Sequence, residues 1–359
     1  MRGFQNQEVI RLDDCPLIGI LVSNKNNRKR ILKLYQRHHN LPLQLFTFTL
    51  ADILWERQQI VGLCQIEGKW RESAFPFPHA VYNRCYNKKT ATIQLLEGII
   101  GRDKCFNTIN WLNKWEVYNL LSQSNLKKHI PDTFLFNEVN VAELLKIYKL
   151  VYIKPSYGNQ GKGVYRVELK ENGDIHISQH SLAPSFICRK NEDLQQKLGK
   201  LLGKKSYIVQ KGVQSSQIDH RYYDIRVIVQ KNIRGKWTVS TIVCRVANKL
   251  YFNSSVYESI FDAEEIFARI FPSEKKQKIA LQSINKISIN AAQVLEIRMG
   301  LLGELSVDLV LDKEMKLWII ELNGKPQKSI YKDIKNFKYE RLIYRRPMEY
   351  AYYLSQSLR

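Results

Sequence analysis

The stretch LGELSVDLVLDKEMKLWIIELNG (302–324) contains two apolar runs separated by a polar turn. Apolar runs of this length on either side of a turn predict a β-hairpin. The turn centre falls near residue 314 or 315, and antiparallel pairing about that centre sets Asp308 opposite Glu321. Directly paired residues have Cβ atoms about 5 Å apart. Asn323 lies two residues beyond Glu321 and therefore shares its face of the sheet.

The sequence of this hairpin predicts a cluster of side-chain oxygen atoms on two otherwise apolar strands. Both strands are rich in Leu, Val and Ile, which places the face near the interior, where an unpaired carboxylate is costly. Mg²⁺ takes carboxylate and amide oxygens as ligands and bridges phosphates. Asp308, Glu321 and Asn323 are therefore candidate magnesium ligands. A solvated, charged strand face would give the same pattern, so the hairpin alone leaves both interpretations open.

A second informative stretch lies upstream, YIKPSYGNQGKGVYRV (152–167), and predicts a strand, a glycine loop and another strand. Gly158, Gly161 and Gly163 allow positive φ and bring backbone N–H groups close to an anion. Lys154, at the end of the first strand, supplies a point charge suited to phosphate. The loop matches neither common phosphate-binding glycine fingerprint, and it leads into a strand rather than a helix. An anion-binding loop and an ordinary glycine hairpin both remain open for it.

The rest of the chain predicts a mixture of strands and helices. The run LIGILV (17–22) is typical of a buried parallel strand, and a basic helix is predicted to follow it. Strands are predicted at 43–50, 60–68 and 206–213, and a long hairpin at 224–247; helices are predicted at 25–37, 91–100, 114–124, 140–148, 275–299 and about 347–357.

The order of the polar motifs resembles that of the ATP-grasp superfamily. Lys114 begins a predicted helix, Lys154 precedes the glycine loop, a D-x-R motif occupies Asp224 to Arg226, and the carboxylate hairpin follows. More narrowly, the chain is similar to the YheC/YheD group of endospore coat-associated proteins of spore-forming bacteria. That likeness covers about 17–357 and is carried by the segments LIGILVS, AVYNRCYNKK (80–89), YIKPSYGNQGKG, YIVQKGV, DIRVIVQK and WIIELNGKPQ.

The resemblance implies an α/β (α+β) architecture, an ATP-grasp fold with an N-terminal α/β pre-ATP-grasp domain. The N-terminal domain would span 1–104, and the ATP-grasp domain would span 105–359. The second domain would consist of two subdomains with ATP bound between them.

The resemblance also implies a role for each polar motif. Lys114 and Lys154 would hold the phosphates of ATP. The loop would close over them through Ser156, Gly158, Gly161, Lys162 and Gly163. The adenine would meet the strand formed by Gln210, Lys211, Gly212 and Val213. Asp308, Glu321 and Asn323 would carry one or two Mg²⁺, and Arg226 and Arg245 would act catalytically on the γ-phosphate or an acyl phosphate.

The implied activity is an ATP- and Mg²⁺-dependent carboxylate–amine ligase that forms an acyl phosphate from an unknown acid. Phosphoryl transfer needs positioning and charge neutralisation more than covalent help from the protein, and these residue types supply both. Two alternatives stay open: an ATP-grasp kinase for an anionic substrate, and a non-catalytic scaffold of the spore coat.

The composition favours an anionic partner. The 359 residues include 56 Lys and Arg against 34 Asp and Glu, a net charge of +22. The segments 25–37 and 325–346 are strongly basic, which is typical either of solvated faces or of a docking surface for an acidic polymer or coat component. No nucleic-acid-binding module is recognisable, so we do not expect nucleic acid as the partner.

The sequence predicts a cytoplasmic protein, associated with spores if the resemblance holds. None of the six cysteines forms a C-x-x-C pair, which favours a reducing compartment and excludes an obvious zinc or disulfide framework. Residues 1–14 lack the apolar stretch of a secretory signal. No run approaches the ~18 apolar residues of a membrane span.

Overall fold

The computed structural model of the chain describes residues 15–86 and 90–356. The predictions that concern 1–14, the last three residues of AVYNRCYNKK and the end of the tail helix beyond 356 lie outside these ranges. Within the described ranges, no helix combines the length and the apolar character needed to cross a membrane.

The first sheet is built by the N-terminal part of the chain. Over the described residues it contains seven strands: β1 (Leu17–Leu21), β2 (Gln44–Phe48), β3 (Ile53–Leu54), β4 (Gln59–Ile66), β5 (Lys69–Pro76), β6 (Ala80–Asn83) and β7 (Cys105–Phe106). The central strand β1 pairs in parallel with β2 and β6. Every residue of β1 is buried, as expected for a parallel strand covered on both faces.

The second sheet carries the glycine loop. Six described strands form it: β8 (Thr133–Leu135), β9 (Leu150–Pro155), β10 (Tyr165–Leu169), β11 (Ile175–Gln179), β12 (Phe186–Cys188) and β13 (Tyr207–Lys211). The glycine loop connects β9 to β10, which are antiparallel neighbours. The strand–loop–strand prediction is confirmed.

The third sheet carries the carboxylate hairpin. Its six strands in the described chain are β14 (Gln217–Ile218), β15 (Arg221–Lys231), β16 (Trp237–Ala247), β17 (Tyr257–Asp262), β18 (Glu304–Leu311) and β19 (Leu317–Asn323). Both hairpins predicted from the sequence, β15–β16 and β18–β19, are confirmed.

Eight α-helices cover these sheets in the described ranges: α1 (Arg28–Arg37), α2 (Ala91–Ile100), α3 (Lys114–Ser122), α4 (Val141–Tyr148), α5 (Leu194–Leu202), α6 (Ala263–Ile270), α7 (Glu274–Met299) and α8 (Glu340–Gln356). The long helix α7 packs on β15, β16 and β18. Ile225, Val227 and Val229 of β15 belong to that core, so the alternate residues Asp224 and Arg226 face the opposite side of the sheet. This alternation leaves one face of the third sheet free for polar chemistry.

The predicted start of the tail helix is wrong. The sequence predicts this helix at about 347–357. Instead, α8 begins at Glu340 and Pro347 lies inside it. The extra turns bury Ile343 and Tyr344 in the core shared with the first sheet, and this packing outweighs the hydrogen bond that proline cannot make.

The polypeptide leaves the first sheet after β7, which ends at Phe106. Strand β7 still pairs with β6, so the first sheet extends through Phe106. The C-terminal helix α8 returns to pack against α1 and β6. The division at 104 and 105 remains a proposal for the domain boundary.

Candidate functional site

A cavity of about 130 Å³ lies between the second and third sheets. The second sheet contributes Lys154 and the glycine loop to its wall. The third sheet contributes Asp308 and Glu321. The two polar motifs of the sequence therefore meet at one cavity.

The carboxylate pair has the predicted register. Asp308 pairs with Glu321, and Ser306 pairs with Asn323. Because paired residues point to the same side of a sheet, the two carboxylates lie next to each other on the face opposite α7. The prediction of a carboxylate hairpin is confirmed.

A β-bulge is what directs Glu321 to this face. Beyond the carboxylate pair, Leu309 pairs with Ile319, which leaves Ile320 as an extra residue on β19. If the strands continued in the register seen near the turn, with no bulge, Asp308 would pair with Ile320 and Glu321 would point to the opposite face. A bulge commonly re-aims a side chain next to a functional site.

Asp308 is neutralised by two arginines. Arg226 donates two hydrogen bonds to its carboxylate, from Nε to Oδ1 at 2.8 Å and from Nη2 to Oδ2 at 2.6 Å. Arg245 Nη2 lies 3.3 Å from Oδ2. Burial alone would raise the pKa of Asp308, but the charges of Arg226 and Arg245 and the hydrogen bonds from Arg226 outweigh it and lower the pKa. Asp308 is therefore an ionised oxygen donor at neutral pH.

A second ion pair orients Arg245. Its guanidinium binds the Asp224 carboxylate through Nε, at 2.8 Å, and through Nη2. Ser254 donates a hydrogen bond to the same carboxylate at 2.6 Å. Asp224 was recognised in the D-x-R motif but was not assigned a site role. The structure gives it the role of holding Arg245 next to Asp308.

Lys114 links the third sheet to the glycine loop. The side chain of Asn113 caps α3, so Lys114 is the first helical residue. Its Nζ lies 3.2 Å from Glu321 Oε1 and donates a hydrogen bond of 3.1 Å to the Gly158 carbonyl. Its N–H donates to the Ser156 carbonyl at 2.9 Å. One lysine thus contacts both halves of the site.

Lys154 is a buried cation with a neutral partner. Its Nζ donates to Gln210 Oε1 at 2.7 Å, and the residue is 7% exposed. Burial lowers its pKa to about 8; the nearby charge of Lys114 acts in the same direction, and the carboxylates of Glu321 and Asp308 oppose the shift. A phosphate would supply the full negative charge that this ammonium lacks.

The glycine loop approaches the third sheet closely. Gly161 and Gly163 have φ of +66° and +72°. A Cβ atom on Gly161 would lie 2.1 Å from the Asn253 amide nitrogen, so glycine is required there for contact as well as for conformation. Asn253 is held by the imidazole of His180, whose Nδ1 lies 3.1 Å from Nδ2.

The strand predicted to meet the adenine has fewer free backbone hydrogen-bonding groups than expected. The N–H groups of Lys211 and Gly212 already donate to the carbonyls of Asp132 and Leu150. The Val213 carbonyl accepts from Ser215, whereas the Val213 N–H has no acceptor within the described chain. Val213 lines the cavity, and its N–H is thus the available donor.

Two aromatic rings form an apolar wall that the sequence did not single out. Tyr152 and Phe252 line the cavity with ring centroids 5.7 Å apart. Tyr152 follows from the alternation along β9, where it shares a face with Lys154. Phe252 lies in an irregular segment before Asn253, for which the sequence offers no such signal.

Most of the predicted site residues line this cavity: Lys114, Lys154, Gly158, Gly161, Lys162, Gln210, Lys211, Val213, Arg245, Asp308 and Glu321. Five others are not part of its lining: Ser156, Gly163, Gly212, Arg226 and Asn323. Ser156 bonds to the Ser206 hydroxyl at 2.7 Å, and a Cβ atom on Gly212 would lie 2.3 Å from the Leu150 side chain. Ser156 and Gly212 therefore pack behind the residues that line the cavity.

The residues present fit a magnesium–phosphate group. Two carboxylates and the Asn323 amide are hard oxygen donors, which Mg²⁺ prefers together with phosphate oxygens. No group of three or more His, Cys, Asp or Glu side chains suited to a metal occurs in the described chain, so the protein alone does not form a closed metal cage here. Five cations line the cavity, Lys114, Lys154, Lys162, Lys211 and Arg245, against three carboxylates, Asp224, Asp308 and Glu321. This excess of two positive charges suits an anionic ligand.

The fold is that of an ATP-grasp protein. The chain is similar to the ATP-grasp ligase PsnB, whose structure was solved as a complex with minimal precursor, Mg and ADP. The TM-score is 0.55 and the sequence identity is 12%, over 96% of this chain and 99% of that chain. At this identity, the likeness concerns the fold.

The sequence comparisons define the family more closely. The family model for YheC/D-like ATP-grasp matches residues 102–354. The endospore coat-associated protein YheD of Bacillus subtilis (strain 168) is 28% identical over 95% of this chain and 79% of its own length. YheC of the same organism, also named an endospore coat-associated protein, is 26% identical over 79% of this chain and 80% of its own length. The chain belongs to the YheC/D-like ATP-grasp family.

Proposed function

We propose that this protein is an ATP- and Mg²⁺-dependent carboxylate–amine ligase. One observation carries the proposal: Lys114, Lys154 and the glycine loop meet the Asp308–Glu321 pair at a single cavity. Cations and glycine N–H groups suit phosphates, and paired carboxylates suit a metal bound to those phosphates. The likeness in fold to an ATP-grasp ligase supports the assignment.

The proposed roles follow from position. Lys114 and Lys154 bind the phosphates, and the loop from Ser156 to Gly163 covers them. The strand from Gln210 to Val213 borders the adenine, chiefly through the Val213 N–H. Asp308, Glu321 and Asn323 hold Mg²⁺, which would neutralise charge on the phosphates when bound.

Arg226 and Arg245 serve the transferred phosphate differently. Arg245 lines the cavity and is oriented by Asp224, so it stabilises the negative charge of the transferred group directly. Arg226 is fully engaged with Asp308 and fixes that carboxylate in place. Its part is to position Asp308 for the metal.

The proposed reaction has two steps. A substrate carboxylate attacks the γ-phosphorus of ATP, the bond to the β–γ bridging oxygen breaks, and ADP leaves an acyl phosphate behind. An amine then attacks the acyl carbon, the carbon–oxygen bond to phosphate breaks, and an amide, inorganic phosphate and a proton are released. The protein's contribution is positioning and charge neutralisation.

ADP release in the presence of candidate acids and amines tests the proposal. We expect ADP release that needs Mg²⁺ and both substrates, with a product mass equal to acid plus amine minus water. Arg245→Met should abolish it, while Arg269→Met, at an exposed pair with Glu265, should not. A protein that binds Mg²⁺–ATP but yields neither ADP nor product with any acceptor would instead favour a scaffold.

The net charge of +22 favours one alternative, a kinase for an anionic substrate. The same experiment separates it from the ligase, because a kinase product gains the mass of a phosphoryl group and needs no amine. An association with the spore coat is proposed from the names of the two curated relatives.

A further inference from the structure

A second cavity, of about 190 Å³, lies beside an open edge of strand β16. Strand β17 pairs with β16 only from Val243 to Ala247, so the segment from Trp237 to Ile242 has no strand partner on that side in the described part of the chain. Residues 239–242 line the cavity along this edge. It shares no lining residue with the cavity in the cleft between the second and third sheets.

The other walls of this cavity come from three parts of the fold. They are the junction of β17 and α6, one face of α7 and the segment just before α8. The lining residues from these parts include Asp262, Glu264, Leu281, Asn285, Lys338 and Tyr339.

A β-bulge lies in the wall of this cavity. On β16, Thr241 pairs with Ile228 and Val239 pairs with Val229, which leaves Ser240 as an extra residue. The bulge that directs Glu321 lies in the wall of the first cavity in the same way. Because bulges are common next to functional sites, the second one draws attention to this edge of the third sheet.

Four oxygen atoms of the lining residues are buried without a hydrogen-bond partner among the described residues. They are Ser240 Oγ, Thr241 Oγ1, Asp262 Oδ1 and Asn285 Oδ1. Ser240 and Thr241 are only 3% and 4% exposed. A buried polar atom without a partner is costly, so four of them at one cavity favour a ligand that brings hydrogen-bond donors.

Asp262 is available for such a ligand because its side chain does not cap α6. The residue occupies the N-cap position, yet its carboxylate accepts no hydrogen bond from the helix. Burial raises the pKa of Asp262; the charge of Lys338 opposes this shift, and the charges of Glu264 and Glu265 reinforce it. A bound cation would therefore stabilise the ionised carboxylate.

The charges of the lining favour a monovalent cation. Asp262 and Glu264 contribute two negative charges against the one positive charge of Lys338, which leaves a single negative charge. No group of three or more His, Cys, Asp or Glu side chains suited to a metal occurs among the described residues, and a divalent ion would leave one charge unmatched. An ammonium group carries one charge and donates several hydrogen bonds, which suits acceptor oxygens on different elements.

The cavity also has room for a short hydrocarbon chain. Its volume is several times that of one water molecule, so a lone ammonium ion would not fill it. Val239, Ile242 and Leu281 supply apolar surface in the lining. A small organic cation therefore matches both the polar and the apolar parts of the cavity.

We infer that this cavity binds a small aliphatic amine in its ammonium form. The N–H groups of the amine donate to the oxygens of Asp262 and Asn285 and to the Ser240 and Thr241 hydroxyls. Its methylene chain packs against Ile242 and the neighbouring apolar side chains. The site goes beyond the proposed function and does not depend on it, because it lies outside the cleft that contains the glycine loop.

A ligand-observed NMR titration of the full chain at neutral pH tests this inference. The probes are n-butylamine and n-butanol, which have similar shapes and differ in charge. We expect the amine to bind at least about tenfold more tightly than the alcohol, because its hydrogen bonds to the carboxylate are charge-assisted. Asp262→Asn should remove this preference, and the variant should fold because asparagine is as good an N-cap residue as aspartate.

Two further variants make the test sharper. Asn285→Asp adds a carboxylate to the lining and should tighten the binding of butylamine several-fold. Asp193→Asn is the matched control, since Asp193 is the exposed N-cap residue of α5 and does not line the cavity. This variant should keep the full preference for the amine.

Three results would overturn the inference. They are equal binding of amine and alcohol, no binding of either, and a preference for the amine that survives in Asp262→Asn. If glycerol or Mg²⁺ binds more tightly than butylamine and this binding depends on Asp262, the cavity is instead a polyol or metal site and the inference is also wrong.

Discussion

The two walls of the cleft are stabilised in opposite ways. On the third sheet, Asp308 and Asp224 are matched by Arg226 and Arg245 through hydrogen bonds between buried side chains. On the second sheet, the glycine loop is held by a few contacts, and the buried Lys154 has only a neutral partner. The buried charges on the third sheet are therefore paired without a ligand, whereas Lys154 on the second sheet has no charged partner.

This difference indicates that the two sheets have different roles. Buried ion pairs with good geometry fix side chains in place, and breaking one is costly because a charge is left unpaired. On the second sheet, the backbone N–H groups of the glycine loop and the ammonium of Lys154 can bind phosphate, which would supply the negative charge that Lys154 lacks. We therefore expect changes on the third sheet to affect stability and catalysis, and changes on the second sheet to affect nucleotide affinity.

The largest expected effect comes from Glu321→Gln. The change keeps the shape of the side chain and removes the charge that a metal needs, so Mg²⁺-dependent ADP release should fall by about 1,000-fold. Glu314→Gln, at the exposed tip of the same hairpin, is the matched control and should retain full activity. Comparable activity in both variants would contradict the proposed metal site.

Arg226→Met should destabilise the protein by about 3 kcal/mol, because Asp308 keeps only the longer contact to Arg245. The pKa of Asp308 is lowered in the folded protein, so its ion pairs stabilise the fold at neutral pH and lose that effect as the pH falls through the folded pKa. The difference from wild type should therefore be largest near neutral pH and shrink in acid. Denaturant unfolding at several pH values measures it.

The control for this stability prediction is Arg269→Met. Its ion pair with Glu265 is half exposed, so the expected change is within about 0.5 kcal/mol. A loss for Arg226→Met as small as that of the control would mean that the third-sheet wall does not depend on its ion pairs.

Gly161→Ala tests the second sheet. The new methyl group would meet the Asn253 amide at 2.1 Å, and the backbone φ of +66° disfavours alanine as well. We expect nucleotide affinity to fall about 30-fold, since such strain costs about 2 kcal/mol. The melting temperature should fall as well, because the strained backbone and the close contact are present in the folded protein without nucleotide.

Gly203→Ala separates the two causes. Gly203 has a similar φ of +65° but nothing within 4 Å of the added methyl group. This variant should cost about 1 kcal/mol of stability and leave nucleotide affinity unchanged. If both glycine variants lower the nucleotide affinity equally, the close approach of the loop to Asn253 does not matter for nucleotide binding.

The smallest expected effect is a dependence on pH. Burial lowers the pKa of Lys154 to about 8, so the ammonium is charged below this pH and neutral above it. Nucleotide affinity should fall about tenfold between pH 7 and pH 9, and binding at pH 9 should take up a proton. In Lys154→Met, calorimetry in buffers of different ionisation enthalpy should show neither effect. Proton uptake that persists in the variant would assign the titration to another group.

The sequence predicted the parts of the site that depend on regular strand geometry. Alternation along each strand and a turn centre near residue 314 or 315 predicted the observed pair of Asp308 and Glu321, but the observed register at the turn would pair Asp308 with Ile320, and a β-bulge brings Glu321 into place. The β-bulge at Ile320 was not predicted, because an extra residue in an apolar strand changes neither composition nor the turn. Asp224 was missed as a partner of Arg245 because that pair depends on the register between β15 and β16, which is interrupted by its own bulge.

Features that depend on tertiary packing were less accessible from the sequence. Phe252 comes into the cavity from an irregular segment. The tail helix is predicted from about residue 347, whereas α8 begins at Glu340, where the packing of Ile343 and Tyr344 extends it. In each case, contacts distant in sequence override the local signal.

The central claim is that one magnesium nucleotide is bound by both sheets at once. Calorimetric titration of the wild-type protein with ATP, in Mg²⁺ and again in a chelator, tests it most directly. The account predicts one site per chain in Mg²⁺ and at least about tenfold weaker binding without the metal. No binding, or the same affinity with and without Mg²⁺, would contradict it.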